Sequence, residues 1–419
     1  MTPLLVASLA ALLSSWSPGA FVVQGATVEV GDGTRLVEAS VVVDEGAIVD
    51  VLPSSSPPPA GVRRVDGRGK VLTPGLVAVG SQVGLFDVGM EPDHDDSDHD
   101  GAATPGFVAG HGYNPHAVHV AVDREEGVTT AVLAPAARKL FAGEGVAVAL
   151  SGRLDDRPDT SRPVAQFGAF DGAVAGAWGG SRGGLVLGAR ELFDDVRLYR
   201  ARPREFDRGD SRPLRLSPVH LAALGRVIDG GKVPWVVHVD RASDLLTVLD
   251  LAAAHRLRVV VDGGAEAWLV ADRLRQDGVP VIVRPSAAGQ LSFDALSARD
   301  DLAAALHAAG VRVVVAAWAT DMGTSRLRQE AGLAVQNGLP RDAALAAITA
   351  TPAALFVDTP GQPPRGVVQK GARADLVLWS GDPLEVLTVA EHVWVAGVED
   401  PTPSRPRQLA ERYRPKKKP

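Results

Sequence analysis

Six short apolar runs, separated by stretches of helical periodicity, fill the middle of the chain and limit what it can fold into. They are VTTAVLAP (128–135), GVAVALSG (145–152), VPWVVHV (233–239), LRVVVDGG (257–264), VPVIVRP (279–285) and VRVVVAAWATD (311–321). Runs that are apolar at nearly every position suit strands buried on both faces. Between them, residues 189–206, 242–255, a segment from 265 and residues 300–309 read as helices. Strands alternating with helices imply βαβ units and a parallel sheet. Roughly 290 residues of this pattern suit an α/β fold of the (β/α)8 barrel type, whose usual size is about 250 residues before insertions. A further run, LTPGLVAVGSQVGL (72–85), opens on a Pro-Gly turn and ends in Gly80, Ser81 and Gln82. It is expected to be the first barrel strand. Such strands present polar side chains at their C-terminal ends, where the loops are free to vary.

The flanks have a different period. FVVQGATVEVGDGTRLVEASVVVDEGAIVDVLP (21–53) alternates every two residues and is punctuated by Gly-Asp-Gly and Asp-Glu-Gly, as hairpins are. GARADLVLWSGDPLEVLTVAEHVWVAGVED (371–400) repeats short strands and turns. The two segments are expected to pair, giving a small discontinuous β-sandwich from 21–72 and 366–399 around a barrel of residues 73–365. Residues 400–419 carry seven Lys/Arg and several prolines without apolar period, and read as a basic disordered tail.

Composition excludes several functions. The formal net charge of −7 gives no basic footprint for nucleic acid. No stretch reaches the roughly 18 to 20 apolar residues that span a bilayer. The absence of cysteine removes disulfides, Cys zinc sites and a Cys nucleophile. Leu4–Leu13 has the length of a signal-peptide core, followed by a Ser/Pro/Gly/Ala stretch with candidate cleavage near Gly19 or Ala20. Residues 1–20 are therefore expected to export the chain to the periplasm or beyond. The segment before Leu4 has no Lys or Arg, and a short helix lying on the domain is the alternative.

In order and spacing, FVVQGATVEVGDG, VLTPGLVAVGSQVGL, REEGVTTAVLAP, VVHVDRASD, VVVDGGAEAWLVA, TSRLRQEAGLAVQNGLPRDAALAAITATPA and KGARADLVLWSGDPLE resemble the amidohydrolase superfamily, in particular its imidazolonepropionase-like branch. The resemblance runs from Phe21 to about Val398. It implies a metal-dependent hydrolase of C–N bonds, with a barrel set between two halves of a β-sandwich. Family enzymes carry His-x-His at the end of the first barrel strand, a His after strand five, a His after strand six and an Asp after strand eight. Position by position, Gly80 and Gln82 stand where the first pair would be. His238 falls at strand five, Gly263 at strand six and Asp321 at strand eight.

The resemblance thus implies metal ligation by His238 and Asp321, with Asp321 taking the proton of the attacking water. Gln82, Arg241 and Glu266 are expected to contact substrate. A catalytic zinc needs about three protein ligands and an open position, and the neutral amide of Gln82 is a poor partner for it. The expectation is one divalent ion at most (zinc, manganese or iron) or none. A lysine-bridged pair of ions is excluded, because no lysine lies between Lys139 and Lys232. Two functions stay open. One is a divergent hydrolase of a small amide, cyclic amide or peptide-like substrate. The other is a non-catalytic protein that binds a ligand or partner in the barrel mouth, with His238 and Asp321 as a structural pair. In both, the partner is a small molecule or another protein, and a homo-oligomer is open.

Two polar loops could supply further ligands. EPDHDDSDHDG (91–101) places six carboxylates and two histidines, His94 and His99, just after the first strand. Asp96, Asp98, Asp100 and Gly101 echo the opening of a calcium loop, but Phe107 stands where the closing Glu is needed. A solvated acidic loop is the simpler reading. In HGYNPHAVH (111–119), His111, His116 and His119 lack tight zinc spacing and read as surface residues.

Overall fold

The computed structural model describes residues 16–53, 55–87, 94–136, 139–209, 212–287, 292–318, 323–400 and 402–414. Eight strands follow one another in a curled sheet: Leu76–Ser81, Val128–Leu133, Gly143–Ala149, Ala165–Ala169, Trp235–Val239, Val259–Gly263, Val281–Val283 and Val313–Val315. Each pairs with the next in chain order, and they are named first to eighth here. The pairs are parallel except around the third strand, which runs antiparallel to both neighbours. An all-parallel sheet was the expectation from sequence. Only residues 134–142 join the second strand to the third, too few for the dozen or more that a parallel crossover needs.

Alternation along each strand explains why the runs are apolar throughout. Side chains two apart share a face. Val79, Val132, Phe167, Val236, Val260, Ile282 and Val314 meet in one buried cluster. Their neighbours Val237, Val261, Val283 and Val315 belong to a second, larger cluster that also takes in the helices, including Leu185, Leu192 and Val196 of the helix Arg182–Ala201. At the open end, Ser81 Oγ and Thr324 Oγ1 lie 2.8 Å apart, tying the first strand to the segment after the eighth.

Both chain ends share a second sheet. Phe21–Glu29 pairs with Arg35–Asp44, which pairs with Ala47–Leu52. Val71–Pro74 joins Phe21–Glu29 on one side and Leu376–Trp379 on the other, and Ala390–Val395 and Val398–Glu399 continue outward. Phe21 stacks on Trp394 with ring centroids 4.9 Å apart, closing a core drawn from both termini.

The tail departs from the disordered expectation over Arg405–Tyr413, which is helical. Ser404 caps it by accepting from the Arg407 N–H, while its own N–H and hydroxyl donate to Glu125 at 2.6 Å each. Capping and this docking order a segment that has no apolar period to bury. Residues 1–15, most of the expected export segment, and residues 415–419 lie outside the described residues. Among the described residues no helix is long and apolar enough to cross a membrane.

Candidate functional site at the mouth of the curled sheet

The strand parity that buries valines also places charge. His238 is two residues beyond Val236, Asp262 two beyond Val260, and Arg284 two beyond Ile282, so all three continue the inward row past the core. Register brings them side by side, since His238 is the cross-strand partner of Asp262 and Asp262 of Ile282. They face a cavity of about 620 Å³ at the C-terminal ends of these strands, also lined by Asp240, Pro285 and Trp318.

The charges are paired in a chain. Arg284 donates from Nη1 to Asp262 Oδ1 at 2.6 Å and from Nε to the Ala317 carbonyl at 3.2 Å. Asp262 turns its other oxygen to His238 Nδ1 at 3.3 Å. The opposite ring nitrogen, Nε2, faces Asp240 Oδ2 at 3.5 Å. Asp240 Oδ1 in turn accepts the Ala265 N–H at 3.1 Å, which fixes it. Burial alone disfavours an imidazolium, but Asp240 and Asp262 outweigh it and raise His238 to about 10. Burial likewise disfavours ionised Asp262, yet Arg284 and His238 hold it below the usual carboxylate range. The site thus alternates basic and acidic side chains, in the order Arg284, Asp262, His238 and Asp240.

Two glycines make room for this chain. Gly80 has φ +70°, and among the described residues a Cβ there would meet only Arg284 Nη2 within 4 Å, at 3.5 Å. Gly263 has φ +84°, and a Cβ would lie 2.7 Å from Asp240 Oδ1 and 2.9 Å from His238 Cε1. A positive φ of this size is costly for any residue with a side chain. These are the positions where the family resemblance would place histidines. Here the space beside one lies next to the guanidinium, and beside the other it is filled by the Asp240–His238 pair.

Of the residues singled out from sequence, the structure brings His238 to the cavity. Asp321 lies outside the described residues. Gln82 and Arg241 are not on the cavity wall, and Arg241 is exposed at the start of the helix Ala242–His255. Glu266 is buried and off the wall too; its oxygens accept the N–H groups of Ala242 (2.9 Å) and Ser297 (3.1 Å), holding two loops together. Asp240, Asp262 and Arg284 were missed. The signal for the latter two was in the sequence, as each stands one step past its valine-rich run.

The donor set was tested against the ion that the fold family implies. An imidazole that holds a metal is neutral and gives its one in-plane lone pair to the ion. Here both ring nitrogens of His238 face carboxylates, on opposite edges of the ring, so the three do not converge on one point. Among the described residues no group of three His, Asp or Glu side chains is placed to hold an ion. The described residues do not fit a divalent metal. In the acidic loop Asp98 pairs with the buried Lys139, which also donates to the His99 carbonyl; Glu91, Pro92 and Asp93 lie outside the described residues.

No protein-family model matches the chain. In sequence it is 25% identical to amidohydrolase tasK of Hapsidospora irregularis over 425 aligned positions, covering 89% of this chain but only 41% of that protein. The chain thus spans about two fifths of the length of this curated relative. In structure it is similar to an amidohydrolase from Thermotoga maritima MSB8, with TM-score 0.79, 24% identity and coverage of 90% and 99% of the two chains. A putative prolidase from Bifidobacterium longum follows the same fold at TM-score 0.54 and 18% identity, with 94% and 99% covered. Molinate hydrolase does so at TM-score 0.53 and 18% identity, with 91% and 94% covered. The chain thus has the fold of these solved structures and is similar in sequence to an amidohydrolase.

Proposed function

We propose that this chain binds a small polar molecule at the mouth of the curled sheet, which we read as a (β/α)8 barrel, and that its described residues do not run metal-assisted hydrolysis. One observation carries the reading. His238 has both ring nitrogens turned to carboxylates, and Arg284 shares one of them. A hydrolytic ion would need those groups free, because it generates the nucleophile by lowering the pKa of bound water. The cavity has the size of a small-molecule site, within the roughly 300–1,000 Å³ usual for such pockets, and combines apolar walls with convergent charges. On the same reading, residues 21–72 with 366–399 form a β-sandwich and residues 1–20 direct export, so the ligand is met in the periplasm or outside.

A second reading is supported by the sequence similarity to amidohydrolase tasK. In it the chain hydrolyses a C–N bond of a small amide or cyclic amide, Asp321 acts as base, and at most one zinc, manganese or iron is held by His238 and Asp321. Metal analysis of the full chain purified without chelator separates the two, with His238→Ala and Asp321→Asn alongside. The expected result is substoichiometric metal and an unfolding midpoint unchanged by chelator. Near-stoichiometric metal, lost in both variants, would establish the hydrolase instead.

A further inference from the structure

We propose that Arg284 is a built-in cation standing in for the family's ion, and that its open edge anchors a ligand carboxylate at the centre of the mouth. The inference rests on the reading of this cavity as a ligand site and deepens it by naming the ligand class.

The argument starts from position. Arg284 leaves the seventh strand, crosses the mouth and brings Nη2 to 3.5 Å from where a Cβ of Gly80 would be, on the first strand. It lies beside one of the two positions that the resemblance assigns to the metal-binding pair. Among the described residues, the space that glycine leaves is bordered within 4 Å by this nitrogen alone. Three of the guanidinium's features then matter together.

Its anchorage is rigid. Nε is fixed by the Ala317 carbonyl, Nη1 by Asp262, and the side chain is only 14% exposed. Nη2 has no hydrogen-bond partner among the described residues, so its N–H groups are available to an incoming acceptor. One N–H of Nη2, with the second N–H of Nη1, forms a planar edge that matches the two oxygens of a carboxylate.

The surrounding charge is also arranged for an incoming anion. Two of the other cavity-wall carboxylates are engaged, Asp171 accepting the Val174 N–H and Asp294 pairing with Arg182, while Asp300 is exposed to solvent. Asp240 and Asp262 are paired with His238 and Arg284. The apolar remainder of the wall, including Val283, Pro285, Leu302 and the 43% exposed Trp318, suits the body of a small organic acid. The ligand class is therefore a compact carboxylate with an apolar body, recognised without a metal.

Calorimetric titration of the full chain with benzoate and with benzamide, its neutral counterpart of the same shape, tests this. Benzoate is expected to bind at least about tenfold more tightly than benzamide. Arg284→Met is expected to bring benzoate down to the level of benzamide and leave benzamide unchanged. Removing one half of a buried ion pair can unfold a protein. For that reason the double variant Arg284→Met/Asp262→Asn, which removes the pair as a unit, is run beside it and is expected to lose the same preference. Equal binding of both probes to the wild type would overturn the arginine anchor while leaving the cavity as a ligand site. A benzoate preference that survives both variants would also overturn it. Failure of both probes to bind would overturn the anchor and count against the ligand-site reading, and near-stoichiometric zinc uptake by the wild type would overturn the substitution of arginine for an ion.

Discussion

Two clusters in this molecule are built alike, a carboxylate between cations beside a cavity, and they do different work. At the mouth, Asp262 sits between Arg284 and His238 next to about 620 Å³ of space. Beside the composite sheet, Asp375 sits between Arg373 (3.1 Å) and Arg365 (4.0 Å) next to about 770 Å³. The larger space is not the better site. Asp375 also accepts the Ala396 N–H at 2.7 Å, and Arg365 donates to Thr130 Oγ1 on the second strand at 3.2 Å. That cluster spans from the composite sheet to the curled one, and its hydrogen bonds close the fold. At the mouth, the charges continue the inward rows of three adjacent strands, and one guanidinium edge stays open. Direction and open bonding capacity separate a site from a joint more clearly than volume does.

The largest expected effect breaks or confirms this contrast directly. The Asp375 side chain is 2% exposed and that of Asp262 14%. Asp375→Asn is expected to cost about 3–5 kcal/mol in urea unfolding, the range for stranding buried partners of an ion pair. Asp262→Asn is expected to cost less, on the order of 2 kcal/mol, since its partners face a cavity that water can enter. Equal losses, or a larger one at Asp262, would make the mouth a joint of the same kind.

How much of this was readable in the chain follows from the same distinction. The valine-rich runs fixed the strands, because burial on both faces leaves few alternatives, and seven of the eight curled-sheet strands follow runs recognised by composition alone, the exception being the fourth, Ala165–Ala169. The direction of the third strand was not legible in that pattern, since it depends on the length of a connection. His238 was found through resemblance. Asp262 and Arg284 were passed over because the resemblance directs attention to Gly263 and away from the strand-seven end. Reading VPWVVHV, LRVVVDG and VPVIVRP against one another, with the inward row set by Val236, Val260 and Ile282, would have found both. Asp240 was harder, since it lies past the strand and reaches back to His238 through a turn held by Ala265. The helix at Arg405–Tyr413 depends on Glu125, nearly three hundred residues away by chain, and no local pattern announces that contact.

A third buried carboxylate sharpens the contrast by lacking what the other two have. Asp123 is 3% exposed, and burial together with nearby Glu126 raises it from 3.8 to about 8. It is therefore protonated in the folded chain at neutral pH. Between about pH 4 and 8 the native state holds a proton that the unfolded state has lost. Stability from this group is present in full below the lower value and disappears as pH rises through the upper one. Urea unfolding of the wild type, set against Asp123→Asn, is expected to show that decline at up to about 1.4 kcal/mol per pH unit. Parallel curves for the two proteins would mean that Asp123 is ionised after all, and that burial without a guanidinium does not by itself neutralise a carboxylate here.

The smallest expected effect lies in the two glycines, and it separates the halves of the mouth from each other. Both hold positive φ, so Ala at either pays a backbone cost of about 1 kcal/mol. At Gly263 the added methyl also meets Asp240 Oδ1 at 2.7 Å and His238 Cε1 at 2.9 Å, so the pair must shift and the loss is expected to reach about 2 kcal/mol. At Gly80 the methyl meets, among the described residues, only the end of the Arg284 side chain, at an ordinary 3.5 Å, and the backbone term should stand alone. Urea midpoints of Gly80→Ala and Gly263→Ala measured together test the ordering. If Gly80→Ala is the more damaging, the first-strand side of the mouth is filled by something beyond the guanidinium. The open edge of Arg284 would then face a protein group rather than space for a ligand.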